Sequence, residues 1–111
     1  MNGEMKYILD AELREIPCPD VIKWAMWRET ADQHVGGDLL APYWISTVFL
    51  GLDHNYAMFG PPLLYETMIF KIINPPHIIQ HYLIERYATW NQAKEGHDKA
   101  VEAVKAGTLP N

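Results

Sequence analysis

The spacing of apolar residues changes character between residues 44 and 73, and the rest of the chain is organised around that stretch. From Trp44 onward, Ile45, Val48, Phe49, Leu50 and Leu52 fall on both parities, with β-branched Thr47 among them. This is the pattern of a strand covered on both faces, or at least central in its sheet. Residues 63–73 alternate instead. Leu64, Glu66, Met68 and Phe70 share one side, and Tyr65, Thr67, Ile69 and Lys71 the other. Asn74-Pro75-Pro76-His77 is a strong turn signal, after which a third strand runs to about Ala88. Pairing Ile73 with Ile78 would set Glu66 against Glu85, and directly opposed like charges destabilise a sheet. Pairing Ile73 with Ile79 sets Glu66 against Arg86, Ile69 against Leu83 and Tyr65 against Tyr87, which satisfies the carboxylate. A short run at 6–10 adds an edge strand.

Helical spacing governs two other stretches. Pro19-Asp20 suits a first turn, and Trp24, Trp27, Ala31 and His34 recur along one face of a helix predicted over 19–34. Gly36-Gly37-Asp38 then ends it and opens a loop reaching about Tyr43. Near the far end, Thr89 to Gln92 form a capping box for a helix over 90–106. Ala93, His97, Ala100, Val101 and Val104 line its inner face, and Glu95 and Lys99 are spaced for an ion pair. These elements give one α+β domain, a small antiparallel sheet of three to four strands packed against two helices. The length of 111 residues fits a single core.

Composition narrows the function classes. Nearly half the residues are hydrophobic, as in folded globular chains. The net charge of -5 argues against general nucleic-acid binding, which needs clustered basic residues. Cys18 is the single cysteine, so there is neither an internal disulfide nor a cysteine-rich zinc site. The N-terminus lacks the order of a signal peptide, and no apolar run is long enough to span a bilayer. The expectation is a soluble protein of a reducing cytoplasm, with no membrane partner and no cofactor.

Asp53-His54-Asn55, at the end of the first strong strand, is the foremost site candidate. Aspartate and histidine ligate metals and transfer protons near neutral pH. With Glu66 they would form a small metal-dependent hydrolase or nuclease site. Asp and Asn side chains equally well satisfy their own backbone in a turn. Glu66 with Arg86 reads as a structural pair or as an acid beside an anion clamp. Trp24 and Trp27 read as core packing or as a stacking platform, which makes Trp24, Trp27, Asn55 and Arg86 candidates for binding a ligand or partner. His97 reads as a core-edge histidine.

STVFLGLDHN at 46–55, GPPLLYETMIF at 60–70 and RYATW followed by a later GH at 86–97, together with Pro19-Asp20 before the double-Trp helix, resemble a family of small phage and prophage proteins. The similarity covers about residues 7–104. Members of that family carry a shorter, glycine-rich connection where this chain has residues 72–82. The resemblance implies an accessory phage protein acting in the cytoplasm of an infected bacterium, and it brings no activity, cofactor or catalytic residue. Two classes remain. One is a non-enzymatic, homo-oligomeric protein that binds a host factor or small ligand. The other is the metal-dependent hydrolase.

Overall fold

The computed structural model describes residues 5–57, 59–73 and 78–108, the side chains of 78–80 excepted. Strand β1 (Tyr7–Leu9) pairs antiparallel with β2 (Glu15–Pro17) as a separate two-stranded sheet. Asp10 closes the turn between them: its Oδ1 accepts the amides of Glu12 and Arg14, and its Oδ2 accepts the Arg14 Nε–H. The Arg14 amide first, and then the guanidinium, hold the Asp10 carboxyl below its ordinary pKa. Helix α1 (Val21–Thr30) follows. Strands β3 (His34–Leu40), β4 (Tyr43–Phe49), β5 (Tyr65–Ile72) and β6 (Ile78–Tyr87) then form a four-stranded antiparallel sheet in sequential order. Helix α2 (Trp90–Ala106) packs across all four strands.

The α2 side of the sheet holds the core in two apolar clusters. Leu9, Phe49, Leu64, Tyr65, Tyr87 and Ala93 form one, joined by Trp27, Val35 and Trp90. Ile45, Ile69 and Ala100 form the other, flanked by Tyr82, Ile84, Val101 and Val104. Each fully buried Phe, Leu or Ile side chain stabilises the fold by about 1.5–3 kcal/mol. The inner face expected for the second helix is therefore the one that packs. Thr89 caps α2 by accepting the Gln92 amide, and Gln92 reaches back to the Ala88 amide. Gly107, in the left-handed region, ends the helix. The charged pairs on α2 are Lys94 with Asp98 and Lys105 with Glu102, and no Glu95–Lys99 pair forms among the described residues.

The structure corrects the sequence reading in several places. The first helix is ten residues long, and Asp20 is its cap rather than part of its first turn, accepting the amides of Ile22 and Lys23. Ala31 is its C-cap, and His34 begins a strand. The segment expected to be a loop, 36–43, is mostly β3. Two glycines conceal this strand from propensity, and both are required because side chains lie where their Cβ atoms would stand: His97 over Gly36 and Trp44 over Gly37. Strand β2 lies where Pro17 and Pro19 argued for a break. The strand over 44–50 is buried on one face and half-buried on the other. The Glu66–Arg86 and Tyr65–Tyr87 pairings hold, but Ile69 faces Tyr82 rather than Leu83. A bulge between Thr67 and Met68 inserts one residue in β6, and a second irregularity follows Lys71. The turn at 74–77 lies outside the described residues.

Candidate functional site

Loop 50–64 links β4 to β5, and the side chains of Asp53, His54 and Asn55 are spent on its own backbone. Asp53 Oδ1 accepts the amides of Asn55 and Leu63, at 2.8 and 3.0 Å. The Asn55 amide group donates to the carbonyls of Phe59 and Pro61, and its Oδ1 accepts the Ala57 amide. These bonds are those of the turn reading for Asp53 and Asn55. His54 Nδ1 lies 2.9 Å from the Leu52 carbonyl, to which it donates. Glu66 sits in β5, on the face turned away from α2, where Arg86 Nε approaches its Oε1 at 3.3 Å. Among the described residues no three His, Cys, Asp or Glu side chains converge as a metal site, so Asp53, His54 and Glu66 are not gathered as the hydrolase expectation requires.

The two tryptophans of α1 do different work. Trp27 packs edge-on against Phe49, with ring centroids 5.7 Å apart, and so belongs to the core. Trp24 is half-buried, and its indole N–H donates to the Gly51 carbonyl at 3.0 Å. The Arg28 guanidinium lies 5.0 Å and the Lys6 ammonium 5.8 Å from its ring centroid. Arg28 also donates to the Leu50 carbonyl, tying the helix to the end of β4. A groove of about 340 Å³ opens here, lined by Lys6, Trp24, Leu52, Asp53, His54 and Tyr56. Trp24 and His54 thus share one groove, Trp27 packs in the core instead, and Arg86 lines a different groove beside α2. Sequence reasoning missed Lys6, Arg28 and Tyr56. The i, i+4 spacing of Trp24 and Arg28 was the available signal for one of them.

The other polar cluster is internal. His97, 2% exposed, stands between the two apolar clusters. Its Nε2–H donates to Asp38 Oδ2 at 2.7 Å, and its Nδ1 lies 2.7 Å from Thr47 Oγ1. Thr47 and Thr67 hydroxyls are 2.6 Å apart, and the Tyr87 hydroxyl donates to Thr67 at 3.1 Å. With Nε2–H given to Asp38 and Nδ1 accepting from Thr47, each hydroxyl donates once, giving a directed chain from Tyr87 through Thr67, Thr47 and His97 to Asp38. An acid, a histidine and a hydroxyl in series have the composition of a nucleophilic triad. Thr47 is wholly buried, however, so no substrate reaches its oxygen. Among the described residues no buried side-chain nitrogen or oxygen is left unpartnered. The chain is a satisfied core network.

No protein-family model, curated protein or solved structure matches this chain. No helix among the described residues is long and apolar enough to cross a membrane.

Proposed function

We propose that this is a non-enzymatic binding protein that engages a host protein inside an infected bacterium, as the resemblance to phage and prophage proteins implies. One observation carries the reading. Helix α1 buries no residue completely and turns Val21, Ile22 and Met26 to solvent, on the element that also supplies Trp24 to the groove. In the adjoining loop Tyr56 and Phe59 are 76% and 83% exposed. Large apolar groups left in solvent on one short helix and one loop, with Lys6, Arg28 and Asp53 beside Trp24, are the materials of a recognition surface, which uses aromatic and Met anchors together with polar groups. The bonds of Asp53 and Asn55 hold the loop that presents Tyr56 in one shape, which lowers the entropy lost on binding.

The test places a photo-crosslinking residue at Tyr56 and captures partners from bacterial lysate. The expected result is one discrete adduct, lost in Ile22→Glu and Met26→Glu variants that keep the wild-type circular dichroism. An adduct indifferent to both substitutions overturns the reading. So does divalent-dependent hydrolysis abolished by His54→Ala.

A further inference from the structure

Strand registers lay out the face of the large sheet turned away from α2 in three rows. Leu39, Trp44, Phe70 and His81 stand across the strands in the first, and Gly37, Ser46, Met68 and Leu83 in the second. His34, Val48, Glu66 and Arg86 make the third. Helix α2 packs on the opposite face and α1 on β1, so no described element covers these rows. A sheet with one solvated face normally shows polar side chains there. Here the inner positions hold Trp44, Val48, Met68 and Phe70, which are half-buried, and the flanking strands add Leu39 and Leu83, 62% and 48% exposed.

We propose that this face joins two copies of the chain, sheet on sheet, about a two-fold axis parallel to the strands. Three observations select a second copy as the occupant. The first is charge. Glu66 and Arg86 are the only Asp, Glu, Lys or Arg in the rows, and they neutralise each other across 3.3 Å. The face therefore carries none of the net charge of -5, and two copies meet without like charges in contact. The second is size. The axis lays β4 of one copy over β5 of its partner and β3 over β6. Ser46 then meets Met68, and Gly37 with the Trp44 ring against it meets Leu83, so that small residues receive large ones on both sides of the axis. The third is area. Four strands about 4.8 Å apart, with rows spanning five residues at about 3.3 Å each, make a face of roughly 19 by 17 Å. Two such faces cover about 650 Å² in flat projection, and side-chain relief raises this toward the ~1,000 Å² at which specific interfaces begin. The dimer is accordingly of modest, micromolar affinity.

Sedimentation velocity on the full chain, from about 5 to about 500 µM, tests this. The expected wild-type result is a concentration-dependent rise to twice the monomer mass of 12.8 kDa. Leu39→Lys and Leu83→Lys change exposed positions on the two edge strands, so circular dichroism and Tm are expected to stay at wild-type values. Each should raise the dissociation constant at least about tenfold, the effect of losing about 1.4 kcal/mol. Ile22→Glu, on the surface assigned to a host partner, should leave the dimer intact. A wild-type monomer throughout the range overturns the proposal, as does a dimer that survives both lysine substitutions. Association lost only with Ile22→Glu also overturns it and assigns self-contact to α1.

Discussion

At the scale of single residues, His97 decides most. A buried imidazole is tolerable only with both nitrogens satisfied, and here Asp38 and Thr47 satisfy them. Thr47→Val keeps the shape and removes the hydroxyl, leaving His97 Nδ1 and Thr67 Oγ1 each short of a partner. Loss of about 2–3 kcal/mol of unfolding free energy is expected, since each buried polar group left unpaired costs roughly 1–3 kcal/mol. Denaturant titration of Thr47→Val, Thr67→Val and the double variant checks this. The double variant is expected to lose less than the sum, because both singles interrupt one chain. The position of His97 on the inner face of its helix was readable from periodicity. Its acidic partner was not, because Asp38 sat in a segment whose two glycines spelled a loop.

At the scale of elements, local propensity and packing disagree in α2, and packing prevails. Gly96 is an interior helix residue, where Ala would be favoured by about 1 kcal/mol. A Cβ at Gly96 would collide with the ring and hydroxyl of Tyr87, which is itself buried and held by Thr67. Gly96→Ala is therefore expected to lower Tm by several degrees, equivalent to about 1–3 kcal/mol of overpacking, and calorimetry of Gly96→Ala reads the sign directly. The same competition explains which elements were legible. Helix α2 announced itself through its cap, its stripe and its stop, all local signals. Strands β4 and β5 did so through β-branched and alternating positions, and the Glu66–Arg86 pairing followed from charge. Strand β3 depends on partners distant in sequence, the Trp44 and His97 side chains that occupy the space above its glycines. The end of α1 at Thr30 was hidden because Ala31 and His34 happened to continue the helical spacing.

At the scale of the whole molecule, the tyrosines set the alkaline limit. Burial first, and then the Glu15 carboxylate that accepts its hydroxyl hydrogen at 2.6 Å, push the Tyr65 pKa above the ordinary phenol value. Burial likewise raises Tyr87. For a group whose folded pKa is raised, the stabilisation is complete below the unfolded pKa and is lost as pH rises. Unfolding free energy should thus be flat up to about pH 10 and then fall, by at most about 1.4 kcal/mol per pH unit for each tyrosine still protonated in the fold. Urea titrations at pH 8, 10 and 11 measure this, and Tyr65→Phe should flatten the decline. The directed chain from Tyr87 to Asp38 bears on the same scale through time. A growing polypeptide emerges N-terminus first, so β3 to β6 are all available before His97 has been added. Until α2 arrives, Thr47 has no imidazole to receive its hydrogen, Asp38 has no donor, and Gly36 faces empty space. The sheet can be paired but not closed, and α2, synthesised after the strands it covers, completes the core.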